Sequence, residues 1–229
     1  MSAFVFEPQP ASWLPTMGGD ERYPINRVFC VGRNYAAHAA EMGGDPNRVE
    51  PFFFQKHPTC VSRPEQDFPY PSISNDVHHE IEQVIAIGQG GQNIKLEDAM
   101  DHVFGFAVGV DMTLRDVQAK AKEGGKPWDV AKGFDHSAPI SAIRPIDAVE
   151  DWTKGAISLS INGELKQSGD INQMVWKVPE IISYLSGLFA LNAGDLIMTG
   201  TPAGVGPVVK GDKVTGTLEH VGTISFQVV

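Results

Sequence analysis

Cysteine is nearly absent from this 229-residue chain: Cys30 and Cys60 are its only two, and no Cys-x-x-Cys pair occurs. Two isolated thiols exclude a disulfide framework and point to a reducing compartment, the cytoplasm, with both read as small buried apolar residues. Basic residues are also scarce, 18 against 28 acidic, for a net charge of −10. A chain so short of lysine and arginine lacks the positive face that nucleic acid or an anionic membrane surface requires. The apolar run around VFGFAVGV falls far short of the ~20 residues of a membrane helix. The N-terminus MSAFVFEPQPASWLPTMGGD has neither the basic start nor the continuous apolar stretch of a secretory signal, and is too poor in arginine for a transit peptide. The Gly-rich TGTPAGVG matches neither the dinucleotide fingerprint nor the phosphate loop, so it is weak as a phosphate cradle, and the lack of a G-x-S-x-G elbow counts against a serine hydrolase.

What is there suits one globular domain. The 42% hydrophobic content can bury a real core, and the length fits a single unit. Residues 1–22 are rich in Pro and Gly and read as an extended N-terminal arm, leaving 23–229 as the domain. RVFCVG reads as a short strand. NYAAHAAEMG reads as a short helix with Asn34 as its N-cap and Gly43-Gly44 as its stop. PFFFQKH is a strand leading into the Pro-rich loop PEQDFPYPSISND, and HHEIEQVIAIG is a strand. LEDAMDHVFG is a short amphipathic helix, FAVGVD a buried strand, and MTLRDVQAKAKEGG the best-formed helix, with Asp111 at its mouth. KPWDVAKGFDHSAPIS is loop-like. Asn162-Gly163 between alternating segments is a hairpin signal, VPEIISYLSGLFAL a helix, and the C-terminus β-rich. Strands and hairpins mixed with short helices, without strict βαβ alternation, predict a β-rich α+β fold.

Chemistry concentrates around His79-Glu80-Ile81-Glu82. In an extended strand Glu80 and Glu82 share a face, and Asp111 follows about thirty residues later. Three carboxylates can converge on one hard cation, and all-oxygen ligation favours Mg²⁺, Mn²⁺ or Ca²⁺ over zinc. A solvent-exposed edge strand with alternating acids reads the same way. Asp111, Arg115, Gln118 and Lys122 are spaced along one helical stripe, whose first members can face a metal site and whose Lys122 belongs in solvent. His38 and Glu41, at i and i+3, suit either a carboxylate-oriented general base or a surface pair. Lys132 on its own reads as an exposed lysine. The loop TGTPAGVG can offer backbone N–H groups and the Thr201 hydroxyl to a carboxylate.

Taken together, VGRNYAAHAAEM, PFFFQKH, HHEIE, FGFAVGVDMTLRDVQ, KPWDVAKGFD, INGELKQ and GDLIMTGTPAGVG resemble the fumarylacetoacetate hydrolase family, in the family's order, from about Arg27 onward. The short chain is similar to the compact acylpyruvate and fumarylpyruvate hydrolase branch. The resemblance implies a mixed β-roll or sandwich capped by short helices, a homodimer, and a divalent metal, Mg²⁺ or Mn²⁺ with Ca²⁺ as a further option. It makes Glu80, Glu82 and Asp111 the metal ligands, His38 and Glu41 the water-activating dyad, and Lys132 the lysine beside the substrate oxygens. Thr201 matches the substrate-carboxylate contact, and Arg33, Arg115 and Gln118 match polar site residues. His57, between Lys56 and Pro58, departs from the family's Lys-Pro wording and puts the neighbouring pocket wall in question.

The implied activity is metal-dependent hydrolysis of a carbon–carbon bond in a small anionic 2,4-dioxo acid, fumarylpyruvate first, within aromatic catabolism. For a distal substrate carboxylate, Arg48, Lys56 and Arg63 are candidate partners, each otherwise solvated. Competing readings are an acylpyruvate hydrolase, an oxaloacetate decarboxylase, an isomerase or decarboxylase of homoprotocatechuate-pathway diacids, and a non-catalytic Ca²⁺-stabilised module.

Overall fold

The segment IEQVIAI, rich in β-branched residues, is buried at every position and forms the central strand of the molecule. The computed structural model describes residues 4–43 and 48–229, so Gly44, the second half of the expected helix stop, lies outside the described residues. In chain order the main strands are β1 (Val28–Gly32), β2 (Phe52–Lys56), β3 (Ile81–Ile87), β4 (Val103–Val110) and β5 (Arg144–Pro145), followed by β6 (Ala156–Ile161), β7 (Glu164–Asp170), β8 (Leu196–Met198), β9 (Lys213–Leu218) and β10 (Gly222–Gln227). A six-stranded sheet runs β5-β4-β3-β8-β1-β2, antiparallel except for the parallel β8–β1 pair. A four-stranded antiparallel sheet runs β7-β6-β9-β10.

The main core lies between the sheets. Ile81, Ile85 and Val108 from the first join Ile157, Leu159, Val214 and Phe226 from the second in one apolar cluster. Each side chain of this size, fully buried, contributes about 1.5–3 kcal/mol. A smaller cluster on the other face of β3 gathers Val84, Ala86, Ala107, Cys30 and Met198. Both cysteines are buried and free. The helices are short: α1 (Ala36–Glu41), α2 (Arg115–Glu123), α3 (Asp129–Lys132) and α4 (Val178–Leu188). α4 buries Val178, Ile181, Ile182 and Leu185, the i, i+3, i+4, i+7 stripe of an amphipathic helix. Among the described residues no helix is long and apolar enough to cross a membrane. The architecture is the expected β-rich α+β fold.

Asn162 and Gly163 both take positive φ, 53° and 83°, and turn β6 into β7, the geometry that an Asn-Gly hairpin favours. Several local expectations need correction. The strand expected over HHEIEQVIAIG is broken at Glu80 into Val77–His79 and β3. LEDAMDH is a 3₁₀ helix, and the loop-like KPWDVAKG contains α3. Asn34 does not cap α1, whose first turn follows extended Tyr35. Its side chain instead donates to the carbonyls of Trp176 (2.9 Å) and Thr199 (2.8 Å) and accepts from Trp176 N–H (2.7 Å), tying two loops together. Within the expected arm, Trp13–Pro15 pairs with Arg22–Pro24, and Leu14 is fully buried.

Candidate active site

Antiparallel pairing of β3 with β4 sets Ile81 opposite Val110, so the residues flanking that pair, Glu80 and Asp111, become neighbours. The Asp111 N–H donates to the Glu80 carbonyl at 2.8 Å. Glu82, two residues on, projects to the same side. One carboxylate oxygen from each of the three lies within 4.8 Å of the others, and all three residues are buried. Isolated acids this close and this dry would repel strongly. Cations answer them. Lys132, the last residue of α3, donates to Glu80 Oε2 (2.8 Å), Asp111 Oδ2 (2.6 Å) and Thr113 Oγ1 (2.6 Å). Arg115, at the start of α2, donates to Glu80 Oε1 (2.5 Å) and Gln118 Oε1 (2.7 Å). Lys56, from the end of β2, lies 2.9 Å from Asp111 Oδ1 and donates to Ser137 Oγ (3.0 Å) and to the carbonyls of Lys132 and Met112.

These partners split the acids into unlike halves. Burial works against the charge of Glu80, but the Lys132 ammonium and Arg115 guanidinium outweigh it and hold its carboxyl well below the usual range. Burial likewise opposes the Lys132 charge, and Asp111 with Glu80 reverses the effect, holding its ammonium well above the usual range. Among the described residues Glu82 has no such counter-charge in contact. Burial, then Asp111 and Glu80, push its carboxyl well above normal, and its hydrogen-bond donor is the Gly200 N–H at 2.7 Å. A hard divalent cation among these oxygens is the group that would keep all three ionised, so the donor set fits Mg²⁺, Mn²⁺ or Ca²⁺. Gly200 sits at φ +94°, and a Cβ there would stand 2.8 Å from Asn34 Cβ; only glycine delivers that N–H.

His38 lines the same cleft from α1, with Nδ1 3.3 Å from Glu41 Oε2. Glu41 is anchored behind it by the Gly204 N–H, at 3.1 and 3.2 Å from its two oxygens. A carboxylate only accepts, so the network assigns the proton to Nδ1 and leaves Nε2 with the lone pair. Arg33, Arg115, Gln118 and Thr201 also line the cleft, walled by Phe52, Phe54 and Trp128.

The helical stripe read from Asp111 onward needs correction, because α2 begins at Arg115 and Asp111 reaches the cleft from the end of β4. Lys122 is exposed as expected, yet it forms part of the cleft rim. Lys132 is buried, against the ordinary habit of lysine, and all three of its ammonium protons have protein acceptors. Of the cations considered for a distal carboxylate, Arg48 pairs with Glu180 (2.7 Å) and Arg63 stacks over Trp13. Lys56 is no solvated lysine but part of the buried acid cluster. His57 faces outward beside Asn26 and Arg27, away from the cleft wall. The sequence reading missed Gln167 and the place of Lys56 in the acid cluster. Two lysines on segments far apart in sequence, meeting on one aspartate, leave no local signal; Gln167 carried one only as the last letter of INGELKQ.

Fold and cleft together mark the chain as an enzyme. It belongs to the fumarylacetoacetate hydrolase family: the model for the fumarylacetoacetate (FAA) hydrolase C-terminal region matches residues 27–229. The fold superposes on the crystal structure of fumarylpyruvate hydrolase from Pseudomonas aeruginosa in complex with Mn²⁺ and pyruvate, with TM-score 0.97, 47% identity and 99% of each chain covered. The chain is 45% identical over 191 residues to the mitochondrial oxaloacetate decarboxylase of Dictyostelium discoideum, covering 82% of this chain and 86% of that one. It is 41% identical over 198 residues to the oxaloacetate tautomerase YcgM of Escherichia coli K12, covering 86% and 90%.

Proposed function

We propose that the protein hydrolyses the C3–C4 bond of a 2,4-dioxo acid, with fumarylpyruvate giving fumarate and pyruvate as its leading substrate. The observation that carries this reading is a general-base pair, His38 with Glu41, on the same cleft as the buried Glu80, Glu82 and Asp111 group. A divalent ion held by those acids, Mg²⁺ or Mn²⁺, supplies Lewis acidity and a template for two substrate oxygens. His38 Nε2 takes a proton from water, and the resulting hydroxide adds to the C4 carbonyl. Glu41 holds the imidazole tautomer and offsets the charge gained. The C3–C4 bond then breaks, its electrons pass to C3 as the enolate of pyruvate, and a proton at C3 completes that product. Lys132 has its donors committed, so it acts on the developing oxyanion through its charge, while Thr201 meets the substrate carboxylate.

Arg33 and Lys122 stand at the cleft rim without an ion pair among the described residues, over the rings of Phe52 and Trp128. They supply the positive charge that a second carboxylate needs, which favours a dianion such as fumarylpyruvate over acetylpyruvate. The names of the 41–45% identical relatives favour a second reading, oxaloacetate tautomerisation or decarboxylation. That chemistry needs enolisation but no attacking water, and the water-activating dyad speaks for hydrolysis. The family resemblance supports a homodimer serving aromatic-acid breakdown, while the two isolated thiols favour a cytoplasmic setting and the net charge of −10 disfavours nucleic acid and membrane as partners. The test is a panel of fumarylpyruvate, acetylpyruvate and oxaloacetate with Mn²⁺ or Mg²⁺, following dioxo-acid absorbance and pyruvate by a coupled enzyme. Hydrolysis should be fastest on fumarylpyruvate; turnover of oxaloacetate alone would overturn the reading.

A further inference from the structure

β7 lies at the edge of the four-stranded sheet, and Gln167 is its one fully buried residue, with no accessible surface. Its carboxamide reaches under the cleft and is used on every side. Oε1 accepts from the Ile81 N–H (3.1 Å) and from His79 Nδ1 (2.8 Å), while Nε2 donates to Thr201 Oγ1 (2.8 Å) and the Pro202 carbonyl (2.9 Å). A backbone N–H only donates and a backbone carbonyl only accepts, so the amide cannot be flipped. His79 therefore carries its proton on Nδ1; burial lowers its affinity for a second one. The consequence falls on Thr201. Its oxygen is already an acceptor for Gln167, so the hydroxyl proton must point elsewhere, and Thr201 lines the cleft.

We infer that Gln167 is a positioning residue that presets the Thr201 hydroxyl as a hydrogen-bond donor toward the carboxylate of the bound substrate. The same amide holds the Ile81 N–H, between Glu80 and Glu82, so one side chain registers the donor against the acid group. Without it the hydroxyl is a free rotor, and an acceptor in its place would turn the proton away from the ligand. The inference rests on the proposed contact between Thr201 and a substrate carboxylate.

The experiment uses the Mn²⁺-loaded protein and reads oxalate affinity by calorimetry beside KM and kcat for fumarylpyruvate. Gln167→Glu, which offers Thr201 an acceptor only, should weaken oxalate and raise KM about tenfold or more, as for loss of one hydrogen bond to a charged oxygen. kcat should fall less than KM rises. Thr201→Val should do the same, and the double variant should be no worse than Thr201→Val alone. Gln167→Met, which removes the amide without adding charge, should give a smaller loss of the same kind. Multiplying effects in the double variant, or unchanged oxalate affinity in Gln167→Glu, would overturn the inference. So would a loss of Mn²⁺ affinity large enough to account for the oxalate effect. If no dioxo acid is hydrolysed but oxalate weakens non-additively, the proposed function fails and the inference stands.

Discussion

At the residue scale, the site is a set of charges that survive burial only together. Lys56 and Asp111 are essentially without solvent, and removing one partner leaves the other buried and less compensated. Lys56→Met should therefore destabilise the metal-free protein by about 3 kcal/mol, the usual cost of breaking a buried pair, measured by urea unfolding. A change within 0.5 kcal/mol, the range of ordinary surface substitutions, would show that the pair contributes little. His38 tests a different function. His38→Ala should lose at least about 10²-fold in kcat on fumarylpyruvate, as for removal of a general base, while still binding oxalate with Mn²⁺. Retained turnover would remove the imidazole from the chemistry. Glu80 and Glu82 were readable in the sequence because their i, i+2 spacing sends both to one side, even though Glu80 stands just outside β3. Lys132 and Lys56 were not readable from their surroundings, since burial of a lysine is decided by what the fold brings to it. Lys132 was reached through family resemblance alone.

At the scale of elements, the residues that shape turns were legible and those that shape breaks were not. Asn162-Gly163 specifies its hairpin locally, because both positions need positive φ. The break at Glu80 and the brief α3 turn respond to tertiary contacts: Glu80 leaves the strand while Lys132 comes in over the Phe54 ring to meet it. Asn34 looked like a helix cap because Asn commonly is one; its amide is recruited instead by loops more than a hundred residues away. The Gly-rich loop after β8 has its own test. Gly200→Ala would place a methyl group against Asn34 in a left-handed backbone, moving the N–H that Glu82 accepts. It should weaken Mn²⁺ binding more than tenfold, since one of the proposed acid ligands would lose its anchor. Calorimetric titration reads this directly, and wild-type affinity in the variant would show that Glu82 is held by other means.

At the scale of the whole molecule, an acidic chain buries a cluster of acids whose proton affinities are pushed in opposite directions, down at Glu80 and up at Glu82. Glu80 has a depressed folded-state value, so the stability it contributes is present above the ordinary carboxylate range and is lost as pH falls through that depressed value. Glu82 has a raised one, so its contribution is full at low pH and is lost as pH rises from the ordinary carboxylate range toward its own value. Below that raised value Glu82 holds a proton that a divalent ion would displace. Mn²⁺ affinity should accordingly rise with pH across that second window, with proton release visible by calorimetry in two buffers of different ionisation heat. Affinity independent of pH would mean that Glu82 is already ionised or is no ligand.

The most direct test of the account is stepwise addition of Mn²⁺ to chelator-stripped protein while fumarylpyruvate loss and pyruvate formation are followed. Activity should rise from background and level off at one ion per chain, and Glu82→Gln should require far more metal to approach it. Full hydrolysis by the stripped protein, or an unchanged titration in Glu82→Gln, would contradict it.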